Sequence, residues 1–443
     1  MRNIAACRTE TEFTGIRNII ENQSLTAYFQ QIVSVSRKTV IGIEGLIRGI
    51  DMESGEVITP KKLFNEANAE GVTLELDRAC RSKILEEFSG VYELNSEKLL
   101  FLNIDAAIIE TVIGSDYLMN QVREHGICPR NIVIEISENS YLDSATLKRF
   151  ADTYRQWGFM IALDDVGTGF SNMDRILLVR PDIIKIDYSL VKGINHDFYK
   201  QGVFKSLVIL ANKIGALTVA EGVETEEEAI NVLKLGGHMI QGFYFSTPGV
   251  IENVSDTYVN SKIDFLGKRF NEYMGLKYVQ DNNLQNKLFK IGSNSVSRFS
   301  CISWEEFDFE LGKLVSDCPA IECAYILDDS GIQISSTIFP ETIKKNRDNP
   351  IFCSASKGTD HSMKKYYYPL IARKRERHMT EPYVSMATGN LCITISHVFS
   401  SKDDATCILC IDFKTSQDSY NTEIGNTAQS QYKTSSSVIQ FLG

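Results

Sequence analysis

The sequence lacks the features of a membrane-spanning or nucleic-acid-coating protein. None of its 443 residues belongs to a run approaching the roughly 20 uncharged apolar residues that cross a bilayer, so we expect no membrane insertion. Basic side chains are scarce, with 46 Lys and Arg against 57 Asp and Glu, a net charge of −11. Because nonspecific affinity for a phosphate backbone needs surplus basic residues, we expect no DNA or RNA polymer as partner.

Residues 1–20 have no signal-peptide pattern, so the ten cysteines are expected to be reduced thiols in a cytoplasmic protein. The one C-x-x-C pair, Cys407 and Cys410, lies in a strand-like stretch, where residues three apart face opposite sides. Neither a zinc site nor a redox site is therefore expected from this pair.

The length predicts two or three domains, since one domain takes roughly 100 to 200 residues. The acidic excess lies mainly in the first part. Residues 1–250 contain 34 acidic and 25 basic side chains, a net charge of −9, whereas residues 251–443 carry −2. The role of these acids is the main question that the composition raises.

Residues 25–250 repeat one pattern, in which a short apolar run is followed by a polar residue and then by an amphipathic stretch. Strands that alternate with helices in this way indicate a parallel sheet. About eight such units in roughly 230 residues predict a closed (β/α)8 TIM-like barrel with its active site at the carboxyl ends of the strands. The 59-residue gap from Glu44 to Asn103 is expected to contain an extra unit. The polar residues that would surround the mouth are Glu44, Asn103, Glu135, Asp164, Lys185, Glu221 and Gln241.

The rest of the chain changes in character. Residues 251–290 predict a connecting helix, after a first domain at 1–250. Strand and turn signals over 291–415, including AYIL-DDSG-IQIS and a hairpin at SSKDDA, predict a smaller antiparallel α+β domain. The Ser-, Thr-, Gln- and Asn-rich residues 416–443 predict a poorly ordered polar tail.

A single acid at the end of a strand is most often a helix cap or a solvated charge. The collection, with Asp165 adjacent to Asp164, is harder to explain in that way, because so many acids in one concave mouth would repel one another. Oxygen ligands without convergent His or Cys favour Mg²⁺ or Mn²⁺. Two such ions with a nearby lysine suit the hydrolysis of a phosphodiester.

At these positions the sequence resembles the EAL-domain phosphodiesterases, metal-dependent hydrolases of the bacterial second messenger cyclic di-GMP. The resemblance covers about 25–250 and runs through seven blocks in order. The blocks are EGLIR (44–48), LFLNID with Asn103, IEISEN with Glu135 and Glu138, LDDVGTGFSN (163–172), IIKIDYSLV around Lys185, AEGVET (220–225) and QGFYFSTP (241–248).

The resemblance implies roles for individual residues. One metal ion would be bound by Glu44, Asn103, Glu135 and Asp164, and a second by Asp164, Asp165 and Glu221. Lys185 would contact the attacking water, Glu221 would help to deprotonate it, and Gln241 would complete the shell. Further substrate contacts are expected from Arg48, Gln30 and Leu46, and support for the loop after Asp165 from Glu138, Asp187 and Glu224. Glu44, Asn103, Lys185 and Gln241 would contact the substrate as well.

Few positions depart from the family pattern: Gly45, Gln31, Val166 and Asn172 replace the usual alanine, proline, phenylalanine and serine. None of them removes a proposed ligand, so an active enzyme that forms linear pGpG is favoured. The alternatives are a silent cyclic di-GMP receptor and a barrel that acts on another phosphodiester or on a sugar phosphate. The resemblance also implies a homodimer, and the second domain resembles PAS-like or Cache-like sensor modules that respond to an unknown small molecule or protein.

Overall fold

A computed structural model shows two compact units, residues 1–274 and 275–443. None of the described helices is long and apolar enough to cross a membrane. The predicted loop residue Glu138 and the predicted tail at 416–443 lie outside the described residues. The structure describes residues 15–52, 54–137, 143–168, 173–254, 256–341 and 351–415.

In the described part of the first unit, nine strands form one sheet in the order β1-β9-β8-β7-β6-β5-β4-β2-β3. Pairing of β1 with β2 closes eight of them into a barrel, and β3 extends β2 outside it. The apolar runs at the seven polar residues predicted for the mouth all form strands of this barrel. The bounds are β1 Leu25–Ser34, β2 Thr39–Ile50, β3 Val57–Ile58, β4 Leu99–Asn103, β5 Ile132–Ser137, β6 Met160–Val166, β7 Ile183–Ile186, β8 Leu217–Ala220 and β9 Met239–Gln241.

The closed α/β barrel is therefore confirmed, but one strand differs from the prediction. Strand β1 runs antiparallel to both of its neighbours, β2 and β9, whereas the other barrel pairs are parallel. The prediction of an extra βα unit between Glu44 and Asn103 was wrong. This gap contains β3, which pairs antiparallel with β2 outside the barrel, and two helices. The eighth strand lies upstream and joins β2 through a tight turn, which is possible only for an antiparallel pair.

Helices cover the outside of the barrel and bury one apolar face each. In α3, for example, Leu76, Ile84 and Phe88 are buried. The helices of the first unit are α1 Ile16–Glu21, α2 Pro60–Glu70, α3 Thr73–Leu94, α4 Ile109–Val112, α5 Tyr117–Glu124, α6 Ser144–Gln156, α7 Met173–Val179, α8 Tyr188–Val191, α9 Phe198–Ile214 and α10 Glu226–Lys234. The helix predicted to follow the barrel is α11, Asp256–Phe299, and its residues Val259, Ile263 and Leu266 belong to the core of the first unit.

The second unit has the predicted antiparallel α+β arrangement. Its sheet has the order β10-β14-β13-β11, with β12 paired to β13, and the hairpin predicted at SSKDDA joins β13 to β14. The hairpin predicted at AYIL-DDSG-IQIS is only partly correct, because Gln333 makes a single bridge to Leu327 and begins no strand. The elements are α12 Phe307–Asp317, β10 Ile321–Asp328, α13 Tyr368–Arg373, β11 Arg377–Met379, β12 Tyr383–Val384, β13 Leu391–Ser400 and β14 Thr406–Lys414.

Gly42 provides a test of the barrel closure. A Cβ atom at this position would lie 2.5 Å from the carbonyl oxygen of Leu99 in the neighbouring strand β4. We expect Gly42→Ala to lower the free energy of unfolding by about 1–3 kcal/mol because the β2–β4 backbones must move apart. The matched control is Gly202→Ala in α9, where nothing lies within 4 Å of the added Cβ.

The control should raise the free energy of unfolding by about 0.5–1 kcal/mol, because alanine loses less backbone entropy in a helix than glycine. Urea unfolding followed by circular dichroism measures both changes. Equal stability of the two variants would contradict the close approach of β2 and β4.

Candidate active site

Two stacked layers of side chains fill the barrel. The lower layer is apolar and forms a buried floor made of Ile32, Phe101, Val133, Ala162, Ile183, Val219 and Met239. Side chains alternate along a strand, so the residue two positions further toward the mouth also faces inward. On the same seven strands these positions are Gln30, Asn103, Glu135, Asp164, Lys185, Glu221 and Gln241, and β2 adds Glu44.

Lys185 lies at the centre of this polar layer. Its Nζ is 2.7 Å from Glu135 Oε1 and 2.7 Å from Glu221 Oε1. Asp164 Oδ1 lies at 3.1 Å and Glu44 Oε1 at 3.7 Å. The lysine is only 1% exposed, so these four carboxylates replace the water that an ammonium would otherwise bind.

Amide side chains fix the position of Glu44. Asn103 donates from Nδ2 to Glu44 Oε1 at 3.0 Å, and Gln241 donates from Nε2 to Glu44 Oε2 at 2.5 Å. The same Gln241 nitrogen lies 3.1 Å from Gln30 Oε1, and Gln30 Nε2 donates to the carbonyl of Ser246 at 2.9 Å. The hydrogen bonds therefore link strands β1, β2, β4 and β9 around one carboxylate.

A second group of acids lies beside the lysine. Asp164, Asp165 and Glu221 each offer a carboxylate oxygen, and these atoms lie within 4.8 Å of one another. Asp165 has a φ of 59°, a left-handed conformation that is uncommon for residues other than glycine. Because Asp164 and Asp165 are adjacent in sequence, this backbone turn allows both side chains to join the same group.

Burial and charge act in opposite directions on the ionisable groups. Burial raises the pKa of Glu135 well above its ordinary value, against the attraction of Lys185, and raises the pKa of Glu221 to about 8. Burial by itself raises the pKa of Glu44. The Lys185 ammonium and the two amide hydrogen bonds together outweigh burial, so the pKa of Glu44 lies below its ordinary value. The pKa of Lys185 is lowered by burial, but the four carboxylates outweigh this effect and raise it well above its ordinary value.

The acids exceed what one lysine can neutralise. Five carboxylates share a single ammonium, and burial followed by the charge of Asp164 raises the pKa of Asp165 to about 6. Glu135 Oε2 and Gln241 Oε1 are buried without a hydrogen-bond partner. Buried oxygens of this kind normally have a partner, and an all-oxygen set suits a hard divalent cation. The residues present therefore fit a site for hard divalent cations.

The predicted substrate residues lie on the β1–β2 ribbon. Gln30 is opposite Glu44, and Leu46 and Arg48 follow on the same face of β2. Arg48 is half-buried, donates from Nη1 to the carbonyl of Ile47 at 2.7 Å, and has its guanidinium carbon 5.3 Å from the ring centroid of Tyr28. Gln30, Leu46 and Arg48 therefore lie together on the ribbon, and their contacts with a substrate stay a prediction.

The predicted supporting residues differ in their surroundings. Asp187 caps α8 by accepting from the backbone N–H of Ser189 at 2.8 Å, and its charge also raises the pKa of Asp165, after burial and Asp164. The side chain of Glu224 is exposed. The roles predicted for Asp187 and Glu224 in supporting the loop after Asp165 stay predictions.

Sequence reasoning missed Glu228, which is buried in α10. Its carboxylate accepts from the backbone N–H groups of Gly193 at 2.9 Å, Glu224 at 2.9 Å and Thr225 at 3.1 Å. These bonds join the loop that carries Glu221 to the end of α8. The Thr-x-x-Glu spacing at 225–228 is a capping-box pattern that could have identified it.

Two departures from the family pattern have structural reasons. A Cβ atom at Gly45 would lie 2.4 Å from Ile84 Cγ2, so α3 packs closely against β2 where the family usually has alanine. Gln31, in place of proline, donates from Nε2 to Asp256 Oδ1 of α11 at 3.0 Å. Val166 is buried, and Asn172 lies outside the described residues.

Removal of the central ammonium should make the protein dependent on divalent cations for stability. We expect Lys185→Met to lower the free energy of unfolding by about 3–5 kcal/mol in EDTA, because it leaves buried carboxylates without their partner. Mg²⁺ should raise the melting temperature of this variant more than that of the wild type, because the added cation replaces the missing charge.

The matched control is Lys148→Met, since Lys148 is 52% exposed and pairs with Asp152 on α6. Exposed pairs contribute about 0–1 kcal/mol, so this variant should melt as the wild type does with or without Mg²⁺. Differential scanning calorimetry measures these shifts. If Mg²⁺ raised the melting temperature of the wild type and of Lys185→Met equally, the cation would not be replacing the charge of the Lys185 ammonium.

Comparison with known proteins places this geometry in a family. YkuI of Bacillus subtilis, named as an uncharacterized EAL-domain containing protein, is 26% identical over 385 residues, which cover 84% of this chain and 90% of YkuI. PdeB of Escherichia coli, a probable cyclic di-GMP phosphodiesterase, is 24% identical over 239 residues, or 54% of this chain and 45% of PdeB.

The crystal structure of YkuI shows the same fold. It superimposes with a TM-score of 0.77 at 24% identity and covers 91% of this chain and all of that one. That protein was crystallised in complex with cyclic di-GMP and calcium. The family model of the EAL domain matches residues 15–248, more than half of the chain. The chain therefore belongs to the EAL domain family.

Proposed function

We propose that this protein is a divalent-metal-dependent phosphodiesterase that hydrolyses cyclic di-GMP to linear pGpG. The observation that carries the proposal is the buried Lys185 ammonium in contact with four carboxylates, next to the group of Asp164, Asp165 and Glu221. Membership of the EAL domain family and the cyclic di-GMP phosphodiesterases among the relatives support the same substrate.

The proposed ligands divide into two sets that share Asp164. The residues that would bind two Mg²⁺ or Mn²⁺ ions are Glu44, Asn103, Glu135 and Asp164 for one ion, and Asp164, Asp165 and Glu221 for the other. When bound, such cations neutralise phosphate charge and make a nearby water more acidic. The apolar floor below excludes water from one side, so substrate and solvent reach the layer only from the mouth.

The chain's own residues would position the reacting groups. The Lys185 ammonium has three N–H groups and no lone pair, so it donates to the attacking water and offsets negative charge that develops on the phosphoryl oxygens. Glu221, whose side chain is 17% exposed, lies beside Lys185 and would accept the proton of that water. Gln241, anchored on Glu44, would orient the same water and the substrate.

The acidity of the barrel determines when an anionic substrate can bind. Residues 1–250 carry a net charge of −9, and five of these acids converge on the mouth. A phosphodiester would be repelled by this group unless cations were bound first. Arg48 on the β1–β2 ribbon adds a planar cation that can contact two phosphate oxygens, with Gln30 and Leu46 on the same face.

Steady-state hydrolysis tests the proposal directly. In Mg²⁺ or Mn²⁺ the purified chain should convert cyclic di-GMP to pGpG, and EDTA should stop the reaction. Glu44→Ala and Lys185→Ala should each lower kcat by about a hundredfold or more, since each removes charge stabilisation at the reacting phosphate. Glu86→Ala, at a 64% exposed side chain of α3, is the control and should retain wild-type activity.

The same experiment separates the alternatives. Tight binding of cyclic di-GMP in Ca²⁺ without product in Mg²⁺ or Mn²⁺ would identify a receptor and contradict the enzyme. Cleavage of bis-p-nitrophenyl phosphate at a rate matching the dinucleotide would instead indicate a general phosphodiesterase. Full activity of Glu44→Ala or Lys185→Ala would show that the proposed residue roles are wrong.

We also propose that the chain acts as a homodimer. A separate proposal is that the second unit, a PAS-like or Cache-like module, regulates the barrel in response to a small molecule or protein. A chain that ends at Met274 retains Val259, Ile263 and Leu266, which pack in the core of the first unit. Regulation predicts that its kcat/KM differs about fivefold or more from that of the full chain. Equal values, with the barrel folded in both by circular dichroism, would contradict regulation.

A further inference from the structure

The β1–β2 ribbon is a wall that rises above the polar layer around Lys185, which contains the proposed metal ligands and is called the metal-binding layer below. Strands β4 and β9 end at their polar residues Asn103 and Gln241, and β7 ends one residue beyond Lys185. In contrast, β1 begins five residues before Gln30 and β2 continues six residues past Glu44. This ribbon therefore extends along one side of the path by which a substrate reaches the mouth.

The register determines which side chains face that path. Gln30 pairs with Glu44, and Tyr28 pairs with Leu46. Because side chains alternate, Tyr28 and Leu46 form the next inward-facing pair, about 7 Å above the metal-binding layer. The neighbouring residue Phe29 points the other way and is buried in the core between barrel and helices.

Tyr28 is more exposed than Phe29, its neighbour in sequence, and than Phe101 of the floor. Its side chain is half-buried, whereas Phe29 is 1% exposed and Phe101 is fully buried. The guanidinium carbon of Arg48 lies 5.3 Å from the centroid of the Tyr28 ring, within the range of a cation–π contact. The Arg48 guanidinium therefore lies over the Tyr28 ring, and both side chains are partly open to solvent.

We propose that Tyr28 is a substrate-binding residue whose ring stacks on a purine base of the dinucleotide. This inference rests on the proposed function. A base is separated from its phosphate by one sugar, so when the phosphate lies at the metal-binding layer the base lies alongside the residues one step higher on the wall. Aromatic side chains bind bases through their π-face, which contributes about 1–3 kcal/mol per base.

Binding measurements on variants of the full chain test this role. Tyr28→Leu should raise the dissociation constant for cyclic di-GMP in Ca²⁺ about tenfold, and raise KM similarly in Mg²⁺ with little change in kcat. Tyr28→Phe retains the ring and should restore most of the affinity. Mn²⁺ binding and the melting temperature show that each variant is folded with an intact metal site.

The matched control is Tyr258→Leu on α11. Lys262 Nζ lies 4.7 Å from the Tyr258 ring centroid, so this substitution removes the same kind of cation–ring contact on a helix rather than on the ribbon. The control should bind cyclic di-GMP as the wild type does. An equal loss of affinity in both variants would overturn the proposal.

Salt separates stacking from an indirect effect through Arg48. Stacking on a neutral ring is not screened by ions, so the ratio of the Tyr28→Leu and wild-type dissociation constants should be the same at low and high NaCl concentration. Arg48→Gln removes a charge contact, and its effect should shrink as salt increases. A Tyr28→Leu ratio that shrinks in parallel would assign Tyr28 to positioning Arg48 and overturn base stacking.

Different results would contradict the role of Tyr28 and the proposed phosphodiesterase function. An unchanged dissociation constant in Tyr28→Leu, with a wild type that binds and cleaves cyclic di-GMP, would overturn the role of Tyr28 alone. A wild type that binds but does not cleave leaves the binding readout intact and overturns only the catalytic proposal. A wild type that neither binds nor cleaves the dinucleotide would overturn both.

Discussion

The buried Lys185 ammonium is the constraint on which the polar layer of the barrel depends. Each of four strands supplies one carboxylate within 4 Å of its nitrogen, and the floor directly below is apolar. In such surroundings neither the lysine nor the acids can be hydrated fully, so each is stable only in the presence of the other. Strand closure and charge balance are therefore coupled, because a shift in one strand's register would move its acid to the outer face.

Much of this layer was predictable because it follows from two periodicities. Apolar runs predicted seven of the strands, and the polar residue at or just past the end of each run predicted the polar set. In the structure these polar residues face inward with the floor residues, because side chains alternate along a strand. The antiparallel strand β1 was not predicted, since Gln30 and Gln31 interrupt its apolar pattern and one strand's sequence does not specify its partner's direction. Glu228 was missed because it accepts hydrogen bonds from backbone groups of another loop. The contact of Tyr28 with Arg48 could not be predicted either, because it joins two strands whose register the sequence does not specify.

The second unit shows where sequence patterns carry less information. Its antiparallel arrangement was predicted from turns and β-branched runs, but the bridge from Gln333 to Leu327 does not continue into a strand. The side chain of Gln333 explains this in part, because its Nε2 donates to the carbonyl of Ser335 at 2.9 Å and to Thr337 Oγ1 at 3.0 Å. Such local bonds compete with the pairing of a ladder, and hydrophobic alternation does not reveal them.

Asp412, a buried acid of the second unit, has partners of a different kind from those of the barrel acids. Asp412, 3% exposed, accepts from Thr394 Oγ1 at 2.7 Å and from Cys323 Sγ at 3.3 Å, and burial raises its pKa to about 6. Neutral hydroxyl and thiol donors stabilise this carboxyl without a nearby ammonium. The barrel acids instead surround a lysine and leave buried oxygens without partners. The same cost of burying charge thus favours a bound cation in the barrel, whereas two neutral donors contact the carboxyl of Asp412.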